Sequence, residues 1–400
     1  MAPENRADPY PFYAWLRDND PVRHAVDGSW IVTRYADGAA LLRDSRVSTN
    51  PAWLRDGAVQ GAEHHPIRQV GTSLMMFLDP PDHTRLRGLV SKAFTPKVVE
   101  GMRTTVQSIV DQLLDAVDGQ DVIDVVGDLG YPLPVAVICD LLGVPPFDHA
   151  RFRQLSSDAS RLLDGGALDP MSQQKGVVAG MELFQYFTDL VEQRRPNPGD
   201  DLLSAMIAAE EAGDRLTHPE LITTATLLFV AGHETTTNLI GNAALALLRN
   251  PAELERLRTD PTLIRTAVEE FLRYDSPVQF TARITTEDVE VGGPEGQLIP
   301  AGEQVIVVVG AANHDPGQFA DADRLDISRP LEQNRHLSFA AGPHFCLGAS
   351  LARMEAQVAI STLLDRFPRL ELLTTRPEHR EHFVLRGVKE LRVGVGAGPA

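Results

Sequence analysis

The residues best placed to do chemistry in this 400-residue chain are Phe339-x-x-Gly342-x-His344-x-Cys346-x-Gly348. Cys346 is one of two cysteines, and it stands directly ahead of an apolar-periodic run over 347–367 that Pro368 stops. A cysteine there sits near a helix N-terminus, where unpaired N–H groups and the peptide dipole favour a thiolate. A thiolate can act as a nucleophile or bind a metal. As a nucleophile it would need His344 as base, but residues two apart seldom align for that, and no third orienting group is evident. As a metal ligand it fits its surroundings better. Gly342 and Gly348, without Cβ atoms, let the backbone pass close to a flat bound group and to the next helix. The other cysteine, Cys139, lies in the apolar run 135–142 and reads as core.

Three further sets have spacing that could serve chemistry. Ala231-Gly232-His233-Glu234-Thr235 puts a glycine, an acid and a hydroxyl side by side. Glycine inside a helix costs about 1 kcal/mol relative to alanine, so Gly232 points to a local opening rather than regular packing. Glu270-x-x-Arg273 sets a carboxylate and a guanidinium on one helix face. His83 and Arg87, one turn apart, also share a face.

These residues must be held by helices more than by strands. Thr217-His-Pro-Glu220 is a capping box with an early proline, and the helix it starts should run to about Asn250, with 231–235 midway. Asn250-Pro-Ala-Glu253 marks another start, and 262–275 reads as a helix whose apolar face includes Ile264, Val268, Phe271 and Leu272. The stretch 194–201 reads as a turn between helices. Short β-like runs fall at 30–33, 289–291, 304–309 and 383–385. The expectation is a mainly α protein with a minor β region, not the regular alternation of a doubly wound fold.

Composition narrows the function. With 37 Lys plus Arg against 55 Asp plus Glu, the formal charge is −18, which disfavours nucleic acid as a partner. Two cysteines provide neither a disulfide framework nor a zinc array. The N-terminal run 1–11 is polar and proline-rich, and apolar runs such as 221–230 are too short to span a bilayer. No membrane partner and a cytoplasmic location are therefore expected.

The Cys346 loop resembles the cysteine-ligand loop of the cytochrome P450 family, and the other motifs extend that resemblance from end to end. It implies a cytochrome P450 fold over 1–400, one triangular-prism-like domain of about a dozen helices. It implies haem b (iron protoporphyrin IX) as cofactor, with Cys346 on the iron. It further implies that O2 binds beside Gly232, that Thr235 donates a hydrogen bond to it, and that Glu234 delivers protons. Glu270 and Arg273 would be buried and joined by Arg329, with Arg324 as the alternative. His83, Arg87, Arg283 and His344 would hold the haem propionates.

The resemblance also implies an apolar substrate against Leu227, Val230, Ala231, Val278, Gln279, Phe280, Val384 and Leu385, with 74–78, beginning at Leu74, closing the pocket. No flavin or iron–sulfur domain is expected, so a ferredoxin and ferredoxin reductase would supply electrons, docking near Lys92, Arg335 and Arg353. The implied activity is an O2-dependent monooxygenase tailoring a secondary metabolite such as a polyketide or terpenoid. A peroxygenase, a nitric oxide reductase or a non-catalytic recruiter of the same fold is the alternative. One position departs from the family pattern: Ala340 follows Phe339 where glycine is usual, so either φ stays negative there or the loop is strained.

Overall fold

The computed structural model describes residues 7–58, 74–145, 149–162, 170–211, 216–293 and 296–396, so the first six residues of the polar N-terminal run lie outside the described residues. The longest element is the helix His218–Arg249. It starts as the sequence predicts: the Glu220 N–H donates to Thr217 Oγ1 at 3.4 Å, and the Thr217 N–H donates to the Glu220 carboxylate at 2.8 Å. Pro219 falls in the first turn, where a missing N–H is harmless. From Leu221 to Leu247 most side chains are buried, because Pro132–Leu142, His149–Ser160, Pro170–Arg194 and Ala349–Arg366 all pack on this helix. It is the axle of the molecule.

Gly232 does not open it. The helix runs unbroken through that residue, and a Cβ there would lie 3.2 Å from the Ile138 side chain. The glycine makes room for the neighbouring helix Pro132–Leu142, in which Cys139 is fully buried as expected. That neighbour and the π-helical turn Val125–Gly130 before it form an 18-residue stretch apolar enough to cross a membrane by composition, with mean hydropathy 1.6. The sequence marks only its second half, the apolar run 135–142. It is a core element, 67% of it buried.

The helix carrying Glu270 is Ile264–Tyr274, entered through a 3-10 turn at Pro261–Leu263. Val268, Phe271 and Leu272 are buried and Ile264 half-buried, so the predicted apolar face is the packed one. The helix behind the Cys346 loop is Ala349–Arg366, with Gly348 at its start. The helix Pro251–Thr259 begins after Asn250, but that side chain turns back to the Ala246 carbonyl at 2.8 Å and closes the preceding helix instead. The 194–201 stretch joins Pro170–Arg194 to Leu202–Glu211.

The main sheet has the order Val22–His24, Trp30–Val32, Gln304–Val308, Phe280–Thr285, Val47–Ser48. Trp30–Val32 pairs parallel with Gln304–Val308, tying the N-terminal segment to the region ahead of the Cys346 loop. Val289–Val291 pairs with Gln297–Ile299. The predicted run 383–385 is not a strand. It makes one bridge, Val278 with Leu385, because the chain turns straight away and Arg380 N–H bonds the Gly387 carbonyl at 2.9 Å.

Candidate functional site

Backbone bonds fold the Cys346 loop into a compact knuckle. Cys346 N–H donates to the Phe339 carbonyl at 2.9 Å, Phe345 N–H to Gly342 at 3.1 Å and Ala340 N–H to Leu337 at 2.8 Å. Gly342 has φ +73°, and a Cβ there would collide with the Leu42 carbonyl oxygen, so only glycine fits. Gly348 is different: nothing lies within 4 Å of where its Cβ would be. Ala340 has φ +57°, so of the two alternatives for this residue the loop adopts the strained one.

The protein encloses Cys346, yet the residue's own surface is accessible. Burial pushes its thiol pKa up; the Gly348 N–H, Arg87 and Arg353 pull the other way. The Arg353 guanidinium lies over the Phe339 ring at 4.5 Å. It also grips Glu269 with two bonds of 2.6 and 2.8 Å, and His336 Nε2 lies 3.2 Å from the same carboxylate.

A group of basic side chains, two imidazoles and two guanidinium groups, borders the loop. The His83 and His344 rings lie with centroids 4.1 Å apart and tilted by 33°, and Arg87 donates to the Phe345 carbonyl. Arg283 is buried and donates to Thr281 Oγ1 at 3.0 Å and the Ala282 carbonyl at 2.7 Å. Burial brings the Arg283 pKa down to about 10. Burial, then His83, Arg283 and Arg87, brings His344 down to about 3. Among the described residues no carboxylate is ion-paired with Arg87, Arg283 or His344. A buried cation without a counter-charge, as Arg283 is here, is costly unless an anion joins it. Together with an accessible thiol, this donor set fits haem: a soft ligand for iron, with guanidinium and imidazole partners for two propionates. Thr49, whose hydroxyl lies 3.2 Å from His344 Nε2, also belongs to the group. Nothing in its local sequence marks it.

On the central helix, Leu227, Val230 and Thr235 are half-buried and Ala231 is exposed, a strip on an otherwise buried element. Thr235 Oγ1 donates to the Ala231 carbonyl at 3.1 Å. Glu234 is buried, and Arg380 Nη1 donates to its Oε2 at 2.8 Å.

Glu270 and Arg273 have no exposed surface, and Arg273 donates to Glu270 twice, at 2.7 and 2.8 Å. Arg329 Nε completes the cluster at 3.1 Å, and Asn334 and the Asp326 N–H donate to the same carboxylate. The Arg324 side chain is exposed and bonds Asp326, so only its carbonyl reaches the cluster.

The expected substrate contacts separate by accessibility. Leu74, Val278 and Val384 are half-buried, whereas Gln279, Phe280 and Leu385 are enclosed. Gln279 bonds the Ser276 carbonyl at 2.7 Å and wedges against Gly310, and Phe280 stacks on Phe383. In extended backbone, successive side chains point to opposite sides, so adjacent residues such as Val278 and Gln279 cannot both line one pocket. Of the expected docking cations, Lys92 and Arg335 are exposed, while Arg353 is bound to Glu269.

A family model described as Cytochrome P450 matches residues 57–393. Cytochrome P450 107B1 of Saccharopolyspora erythraea is 43% identical over 397 residues, covering 96% of this chain and 94% of the relative. The 6-deoxyerythronolide B hydroxylase of the same organism is 40% identical over 404 residues, covering 96% of each. Among solved structures, myxobacterial cytochrome P450 CYP267B1 in complex with myristic acid matches with a TM-score of 0.90 at 39% identity, covering 99% of this chain and 98% of that one.

Proposed function

The chain belongs to the cytochrome P450 family, and from that premise we propose that it is a ferredoxin-dependent monooxygenase acting on an apolar secondary metabolite such as a polyketide or terpenoid. The cofactor of this oxidoreductase family is haem, which when bound supplies O2 activation and the transfer of one oxygen atom to substrate, by hydroxylation or epoxidation. The observation that carries the reading is the pairing of the Cys346 knuckle with two arginines, Arg87 and Arg283, that have no carboxylate partner among the described residues, and with the imidazoles of His83 and His344.

In this reading Cys346 Sγ is the iron's thiolate ligand, and the Gly348 N–H and nearby Arg87 favour its charge. Arg87, Arg283, His83 and His344 hold the propionates and so fix the plane of the cofactor. The Glu270–Arg273–Arg329 cluster anchors the segment leading into the loop, a structural role. Thr235 can turn its hydroxyl from the Ala231 carbonyl into the site, and Glu234 holds protons at its carboxylate oxygens for delivery there. Leu227, Val230, Ala231, Leu74, Val278 and Val384, the accessible members of the apolar set, contact the substrate. Residues 1–400 act as one domain, and a ferredoxin docks near Lys92 and Arg335.

The acid–hydroxyl pair Glu234–Thr235 supports O2-dependent turnover over a peroxygenase or recruitment role; nitric oxide reduction also consumes protons, and turnover with O2 separates it from this reading. Two experiments test the reading. Cys346→Ser should keep the far-UV circular dichroism but lose the thiolate spectrum of the reduced carbonyl complex; retention of that spectrum would remove Cys346 from the iron. Oxidation of a spectrally selected compound should proceed with ferredoxin, reductase and O2. Oxidation supported by peroxide but not by ferredoxin, reductase and O2 would overturn the monooxygenase clause.

A further inference from the structure

Several buried polar atoms between the central helix and the segment 380–387 have no hydrogen-bond partner among the described residues. Glu234 bonds Arg380 through Oε2, and its Oε1 is unpartnered. His233 donates from Nδ1 to the Phe229 carbonyl at 2.8 Å, which leaves a lone pair on Nε2, itself unpartnered and 3.8 Å from Glu234 Oε1. That separation is too long for a direct bond and short enough for one bridging water. One turn on, Asn238 lies on the same helix face, buried, with neither amide atom bonded. Its amide abuts Gly387, where a Cβ would overlap it, so the two elements meet at this point. Arg380 Nε is unpartnered as well.

Folded proteins keep such atoms buried when water satisfies them. The group is contiguous through the Arg380 bond to Glu234, the Arg380 N–H bond to Gly387 and the Gly387 contact with Asn238. It also leads outward. The Glu234 side chain is 2% exposed and that of Arg380 16%, so Arg380 spans from the buried acid toward solvent.

We propose that protons reach Glu234 through a water-filled inlet between the central helix and the segment 380–387, lined by Arg380, Asn238 and His233. Arg380 is a positioning residue in it: by holding Oε2 it keeps Oε1 turned to the water and the carboxylate ready to accept a proton from it. A proton received at Oε1 leaves hydroxide at the inner water, which the chain of waters neutralises from bulk solvent, so no oxidant or further reactant is needed. This rests on the reading of Glu234 as proton carrier, and the variants below separate the two.

The assay is O2 uptake by the haem-loaded enzyme with a plant-type ferredoxin, its reductase and NADPH, run in H2O and in D2O. Asn238→Leu, which places an apolar side chain in the path, should slow uptake about tenfold and widen the H2O/D2O rate ratio, whereas Asn238→Ser should restore most of the rate. Arg380→Gln should act like Asn238→Leu, and Arg380→Lys should recover activity. A high-resolution crystal structure should show waters bonded to Glu234 Oε1, His233 Nε2 and the Asn238 amide, a readout that holds even if Asn238→Leu folds poorly. A dry site would behave oppositely: Asn238→Leu would melt higher, relieved of unpaired polar atoms, and turn over normally. That result, or a crystal structure with no water there, overturns the inlet. If Glu234→Gln is slow while Asn238→Leu and Arg380→Gln are normal, the inlet alone falls. If Glu234→Gln leaves rate and isotope ratio unchanged, the proton-carrier reading falls.

Discussion

Replacing Arg329 with methionine measures what the buried charge cluster behind the Cys346 loop contributes. Arg329 gives one charge-assisted bond to Glu270 Oε2 and one bond to the Ala320 carbonyl, at 3.1 and 3.0 Å, from a nearly buried side chain. The charge-assisted bond contributes about 1.5–3 kcal/mol, and stranding a carbonyl costs about 1 kcal/mol more. Two features limit the loss. Glu270 keeps both Arg273 bonds, Asn334 and the Asp326 N–H, and the unpartnered Arg329 Nη2 leaves with the side chain. The expected net loss is about 3 kcal/mol. With an unfolding entropy of roughly 2.1 cal/mol/K per residue over this chain, that is a fall in Tm of about 4 °C. Arg324→Met, removing an exposed guanidinium, should change stability by less than about 0.5 kcal/mol. Thermal melts followed by circular dichroism at matched haem content provide the comparison. Equal losses in the two variants, or none in Arg329→Met, would refute the assignment of Arg329 as the partner of Glu270.

Two more outcomes follow from the same region. Ala340→Gly removes the side-chain clash at φ +57°, about 1–2 kcal/mol, and gives back part of it through the freer unfolded chain, so Tm should rise by about 1 °C; a fall would show that the alanine methyl packs usefully. Burial raises the Glu269 carboxyl, but its bonds to His336 and Arg353 outweigh that and hold it at about 2 against an ordinary 4.5. A lowered carboxylate pKa stabilises the fold fully above the unfolded value and loses that contribution as pH falls through the folded one. The Tm advantage of wild type over Glu269→Gln should therefore be constant above about pH 4.5 and shrink toward pH 2, and a flat difference across that window would contradict it.

Much of this molecule was legible before any coordinates. The capping box at Thr217, the proline-free stretch after it and the periodic runs that end at Tyr274 and Arg366 are local signals, and local backbone bonding decides helix limits. Cys346, Glu234-Thr235 and Glu270-Arg273 were found because their partners lie within a few residues, where spacing alone sets geometry.

What depended on distant chain was not legible. Gly232 was expected to loosen the helix, but Ile138, nearly a hundred residues away, fills the space it leaves. The conformation of Ala340 was left open, and long-range packing of the knuckle against Leu42 and its neighbours sets it. Arg329 over Arg324, Gln279 and Leu385 turned inward, Arg353 bound to Glu269 and Thr49 beside His344 all rest on contacts between separate elements. So does Arg380 on Glu234, across 146 residues of chain. The sequence by itself determined which residue types stand together at helical spacing, and with them the candidate site, because side-chain type and helical spacing are local properties. Only the tertiary structure decided which charges are buried, paired or left without a partner, because burial is a property of everything packed around a group.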